Sequence, residues 1–86
     1  MRHFEKILKA LANRRRLEII KYIKSKKEAN VGEIAEHIKL SFKSTSRHLA
    51  ILLGADILEK EQEGLTVFYS LGSKLASLAK SIISEI

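Results

Sequence analysis

The 86-residue sequence predicts an α-rich α+β domain with its elements in the order α-α-α-α-β-β-α. Apolar residues recur at helical spacing in four segments before residue 55 and in a fifth after residue 73. A capping side chain stands ahead of four of these five segments. Between the fourth and fifth, the pattern changes to strand-like alternation on either side of a Glu-Gly pair.

Phe4, Ile7, Leu8 and Leu11 form the stripe of a first amphipathic helix. Asn13 can cap a second helix through its side-chain oxygen, with Leu17, Ile20 and Ile23 on the buried face and Tyr22 outside. Residues 25–29 end it, and a minor strand near residues 28–30 would complete a small sheet. Asn30 and Glu33 have the spacing of a capping box, and Val31, Ile34, Ala35 and Ile38 give a short third helix. Ser41 then caps a fourth helix that buries Thr45, Leu49, Leu52 and Leu53 and runs to about Ala55. Only Lys39 and Leu40 separate helices three and four, so the two must cross sharply, as in a helix-turn-helix. After Gly54 two strands are expected, with Glu63-Gly64 as the tight turn and Leu65, Val67, Tyr69 and Leu71 alternating on one side. Ser73 caps the last helix, whose face is Leu75, Leu78, Ala79, Ile82, Ile83 and Ile86. The arrangement is a winged helix-turn-helix, expected to form one domain over residues 1–86, since no Pro-rich or Gly-rich linker and no repeat interrupts the chain.

Composition narrows the chemistry. With no cysteine there is no disulfide framework, no zinc knuckle and no thiol nucleophile. No apolar run approaches the length of a membrane span, and the charged N-terminus does not look like a secretion signal, so a cytoplasmic protein is expected. The net charge of +6 is unevenly divided. Residues 1–50 hold 13 Lys and Arg against 5 acids, whereas residues 51–86 hold 3 against 5. That asymmetry fits a first half facing a polyanion and a second half with another task, or else a solvated lysine-rich surface. The histidines at 3, 37 and 48 are scattered, and no nucleophile-base-acid set, Gly-rich phosphate loop or HExxH is present, which disfavours an enzyme.

With the elements in this order, the sequence resembles the ArsR-type winged-helix repressors in three blocks. Leu8-Lys9-Ala10-Leu11-Ala12-Asn13 through Arg16-Leu17 is similar to that family's KALADPTRL start. Leu40-Ser41 through Ser46-Arg47-His48-Leu49 is similar to its LSQSTVSHHL recognition helix, and Glu63-Gly64 through Val67-Phe68-Tyr69-Ser70-Leu71 to its EGRxVYYxL wing. The resemblance implies a dimer packed through the first and last helices, DNA read by helix four and, in many members, an effector that releases the DNA. The interface expected on those helices consists of Phe4, Ile7, Leu8, Leu75, Leu78, Ile82 and Ile83 across a two-fold axis. Such a homodimer would present two helices to successive major grooves of a near-palindromic operator in double-stranded DNA.

On helix four, Lys43, Ser44, Ser46 and Arg47 are the expected DNA-contacting residues, because side chains near the start of a recognition helix face the base edges. Phe42, where the family commonly has Gln, either touches a thymine methyl or covers Leu49 and Leu53, the cover being the expectation, and His48 is expected to be packed. Arg14, Arg15 and Arg16 crowd the positive end of helix two, where something must compensate them. A DNA phosphate at Arg14 or Arg15 is one solution and pairing with Glu5 or Glu18 is the other. Arg16 matches the family's arginine, while Arg14 and Arg15 replace its Pro and Thr. The wing departs most clearly. Glu59, Glu61 and Glu63 surround Lys60, its single candidate DNA contact, and Leu65 replaces an arginine.

Metal-sensing members carry cysteines in a C-x-C-(D/E)-L-A pattern at the start of helix three, where this chain has Asn30 and Gly32. The Asp and His set that other members carry on the last helix is also missing. Glu33 and His37 make an i, i+4 pair, which is two ligands and too few for a metal site. No metal and no cofactor is expected. An organic effector, a controlling partner protein and constitutive binding stay open. The alternatives to the DNA-binding regulator are a protein-interaction module built on the wing and last helix, and a sensor with a non-standard site.

Overall fold

The fold, taken from a computed structural model, is described for residues 2–86. Its elements are α1 (Arg2–Leu11), α2 (Arg14–Lys26), β1 (Glu28–Asn30), α3 (Val31–Ile38), α4 (Phe42–Gly54), β2 (Leu58–Glu63), β3 (Thr66–Leu71) and α5 (Ser77–Ser84). The strands form one antiparallel sheet in the order β1-β3-β2, so the short strand at residues 28–30 does complete the sheet.

Three of the expected caps are made. The Asn13 side chain accepts from the Arg16 amide at 3.1 Å. The Asn30 side chain accepts from the Glu33 amide while the Glu33 carboxylate accepts from the Asn30 amide, both at 2.9 Å, which is the full capping box. Ser41 Oγ accepts from the Ser44 amide at 3.1 Å. Each cap satisfies helix amides that would otherwise lack partners. Between α3 and α4, Lys39 adopts a left-handed conformation (φ 55°) and the Leu40 amide closes back on the Ala35 carbonyl at 3.0 Å. This ends α3 within one residue and lets Ser41 start α4 in a new direction.

Ser73 does not cap the last helix. α5 begins at Ser77 behind Ala76, with no side-chain cap. The cause lies in the preceding glycine. The Gly72 amide donates to the Ile57 carbonyl at 2.8 Å, and a Cβ at Gly72 would sit 2.5 Å from the Asp56 carbonyl oxygen. Backbone passes this close to backbone only at glycine, and it ties residues 72–73 to the base of the hairpin, where the Ser73 amide donates to the Glu59 carboxylate. The helix starts once the chain has cleared that crossing.

The hairpin turn is also displaced by one residue. Glu63 pairs with Thr66, so Gly64 and Leu65 form the two-residue loop. Gly64 has φ +63° and Leu65 is not among the positive-φ residues, as in a type II′ turn with glycine first. Leu65 therefore leaves the expected inward alternation and stands fully exposed at the tip.

The core draws on every helix and on the sheet. Ile7, Ala10 and Leu11 of α1 meet Ile19, Ile20 and Ile23 of α2, Ile34 and Ile38 of α3, Leu49 and Leu52 of α4, Ala29 and Leu58 of the sheet, and Ala79 and Ile83 of α5. Ile19, which the helical stripe of α2 did not single out, is fully buried, and Leu17 packs only at the edge of this cluster.

Candidate nucleic-acid interface

The helix-turn-helix is anchored from inside. Thr45, Leu49 and Leu52 bury one side of α4. At about 100° per residue, Ala50, Lys43 and Arg47 face away from that buried side, Ser46 flanks them, and Phe42 falls on the edge beside Leu49 and Leu53. All are exposed except the half-buried Ser46. Ser44 lies on the other flank of the first turn and is half-buried. Lys43 and Arg47 thus fall together, with Ser46 on one flank and Ser44 on the other. No acidic residue occupies the first turn of α4, so its positive end is uncompensated.

Phe42 is a correction. It falls on the side of Leu49 and Leu53 but is 63% exposed in the first turn of α4, so it covers them only in part.

The three arginines at the start of α2 separate into distinct roles. Arg15 donates to the Ile38 carbonyl at 2.6 Å and pairs with Glu18 at 3.3 Å. Arg16 donates from Nε to the Ala10 carbonyl at 2.6 Å and from Nη2 to the Lys9 carbonyl at 2.9 Å, and its Nη1 lies 3.2 Å from His48 Nδ1. The carbonyls belong to the last turns of α1 and α3, the negative ends of those helices. Two of the crowded cations are therefore compensated by helix C-termini within the chain. Arg14 is exposed, and among the described residues it makes no ion pair or side-chain hydrogen bond.

His48 joins this network. Burial first, then the charges of Arg16 and Arg15, hold its pKa below the ordinary histidine value. A guanidinium can only donate, so Nδ1 is the acceptor and the neutral ring carries its proton on Nε2. Arg16 and His48 together lock α1, α2 and α4 at the back of the exposed face. The sequence signal for this was the arginine triplet at a helix start, but its partners are carbonyls and a ring brought in by the fold.

The wing has the opposite character. β2 is an outer strand, and the register sets Glu59 opposite Ser70, Glu61 opposite Phe68 and Glu63 opposite Thr66. Side chains two apart on a strand share a face, so three carboxylates line one side of the hairpin. Glu28, also opposite Ser70, adds a fourth across β3. Lys60, opposite Tyr69, points to the other face and is exposed.

The apolar residues expected at a dimer interface are unequal. Phe4 (52%) and Leu8 (49%) are exposed on α1 and, with Arg2, Glu5, Lys9 and Ala12, line an open, mainly apolar groove. Leu75, Leu78 and Ile82 are half-buried near and along α5. Ile7 (1% exposed) and Ile83 (4%) instead belong to the chain's own core and can only back such a surface from behind.

Among the described residues no three His, Cys, Asp or Glu side chains gather as a metal site. Glu33 is engaged in its capping box, and His37 stacks on Tyr22 at 4.1 Å between ring centres. No described helix is long and apolar enough to cross a membrane.

Known proteins are similar to this chain in sequence and in fold. The family profile described as "Bacterial regulatory protein, arsR family" matches residues 13–60. The transcriptional activator HlyU of Vibrio cholerae is 40% identical over 67 residues, which cover 78% of this chain and 61% of that protein. The chain thus spans less than two thirds of that relative's length. The HlyU structure superposes with a TM-score of 0.82 at 34% identity, covering 96% of this chain and 86% of that one. The arsenical resistance operon repressor of Bacillus subtilis is 32% identical over 74 residues, 86% of this chain and 70% of that protein. A homodimeric winged helix-turn-helix DNA-binding domain from Mycobacterium bovis has the same fold, with a TM-score of 0.82 at 24% identity over 96% of this chain and 73% of that one. With that family profile covering more than half of its length, and the helix-turn-helix and hairpin in the order described, this chain is a winged helix-turn-helix member of the arsR family of bacterial regulatory proteins.

Proposed function

We propose that the chain binds double-stranded DNA sequence-specifically as a homodimer and represses transcription in the cytoplasm, with α4 lying in the major groove. The observation that carries this is the exposed face of α4, in which Lys43 and Arg47 stand together, flanked by Ser46, at the uncompensated positive end of a helix fixed from behind by Leu49, Leu52 and the Arg16–His48 contact. A helix fits the major groove, and a guanidinium there can donate two hydrogen bonds to a guanine edge. Arg47 is assigned that role, Lys43 a guanine or a phosphate, and Ser44 and Ser46 a base or phosphate oxygen. Arg14 is assigned to phosphate because it is exposed and unpaired among the described residues, whereas Arg15 is engaged with Ile38 and Glu18 and has less to offer. Lys60 is the one cation of the wing and a subsidiary contact at most.

Dimerisation is assigned to the face made by Phe4 and Leu8 of α1 with Leu75, Leu78 and Ile82, where large apolar side chains remain in water in a single chain. Repression is the sign named for the Bacillus subtilis relative. The role calls for no catalytic step, metal or cofactor, and it leaves the effector and the genes controlled to experiment.

Selection from random duplex DNA by the purified protein, with sedimentation at micromolar concentration, tests the reading. The expected result is a dimer and an enriched inverted repeat with half-site centres about one helical turn, or 34–36 Å, apart. A monomer with no enriched motif and feeble binding in low salt would overturn it and move the search to protein partners of the wing.

A further inference from the structure

We infer that Phe42 is a specificity-determining residue that reads the 5-methyl group of one thymine in each half-site; the inference rests on the DNA-binding role proposed above. A phenyl ring 63% exposed at the start of a helix costs free energy in water, and the described residues cover it only in part. It stands between the Ser41 cap and Lys43, on the flank of α4 that Ser46 shares, with Arg47 further round the helix. An exposed apolar ring at a helix N-terminus that also carries Lys43 and Arg47 matches a duplex groove, which offers phosphates at its walls and a single type of apolar group, the thymine methyl, on its floor. A ring in that position excludes water from the methyl and adds selection for T at a step where Lys43 and Arg47 select for G or hold phosphate. Phe42 does not line the Phe4 and Leu8 groove on α1, so that groove does not account for it.

The test replaces each thymine of the selected operator in turn with uracil, which removes only the methyl group, and titrates wild type, Phe42→Ala and Phe42→Leu against each duplex. Because the ring is exposed, both variants should unfold at the wild-type temperature. For wild type, one uracil per half-site should weaken binding by about three- to tenfold. Phe42→Ala should bind the thymine operator more weakly by a similar factor and be indifferent to that uracil, with Phe42→Leu in between. Uracil tolerated throughout by wild type, a loss that persists unchanged in Phe42→Ala, or a half-site without thymine would overturn the inference and leave the DNA-binding role standing. Absence of any sequence-selective binding would overturn both.

Discussion

The helix-turn-helix and the wing share one core and carry opposite charge. On α4, Lys43 and Arg47 are exposed with no acid in the first turn, whereas the hairpin sets Glu59, Glu61 and Glu63 along one face with Lys60 on the other. A DNA backbone approaching this molecule is attracted at the first surface and repelled at the second, over a range of about 10 Å at 0.1 M salt. Under the proposed role, the acidic wing leaves the holding of DNA to the helices. The contrast also explains the internal arginine network. Arg15 and Arg16 donate to the ends of α1 and α3, and Arg16 also meets His48 of α4, while among the described residues Arg14, Lys43 and Arg47 make no ion pair or side-chain hydrogen bond.

The comparison can be broken at its common base. Leu52 is fully buried, on the helix that packs against both α3 and β2. Leu52→Ala should destabilise the fold by about 2–5 kcal/mol and disable both regions together, measured by denaturant unfolding. A substitution on the cationic side should separate them. Arg47→Ala should leave the unfolding midpoint unchanged and weaken operator binding by about 1–3 kcal/mol, with preference relaxed at one base position if Arg47 reads a base and a uniform loss if it holds phosphate. On the acidic side, Glu61→Gln with Glu63→Gln should raise DNA affinity by less than about 1 kcal/mol, because exposed charges are well screened; isothermal titration at two salt concentrations measures this. A large gain would mean that the wing already lies against phosphate.

The smallest effect concerns the Arg16–His48 contact behind α4. The His48 pKa is lowered by burial and by Arg16 and Arg15, so the unfolded chain takes up a proton before the folded chain does. By linkage, the stability contributed by the neutral ring is complete above the ordinary value of 6.5 and is lost as pH falls through the lowered folded value. Thermal unfolding should show wild type losing stability from pH 7.5 towards 5, and His48→Gln losing less over the same range. Equal losses would remove His48 from the account.

Much of the fold was legible because its signals are local. Asn13, Asn30 with Glu33, and Ser41 cap helices through residues three positions away, so spacing alone exposes them. The misreadings were of another kind. Ser73 looked like a cap until Gly72 brought residues 56 and 72 into close contact, a meeting of distant segments. Leu65 fitted a strand alternation, but the conformational demand of the turn put Gly64 first and pushed Leu65 to the tip. The stripes of α1 and α5 identify buried residues without saying what buries them; Ile7 and Ile83 serve this chain's core, while Phe4 and Leu8 are left for a partner. Within the site, Lys43 and Arg47 followed from helix periodicity. Arg15, Arg16 and Phe42 depend on which helix ends and flanks come together in space, which no spacing encodes.

The most direct test of the claim that the helices hold DNA is the salt dependence of operator affinity, compared among wild type, the double variant Lys43→Ala with Arg47→Ala, and Lys60→Ala. Each phosphate contact contributes about 0.9 to the slope of log affinity against log salt. The account predicts a steep wild-type slope that is nearly unchanged in Lys60→Ala, with a large loss of affinity in the double variant. A double variant that binds like wild type, or a slope that collapses when Lys60 alone is removed, would contradict it.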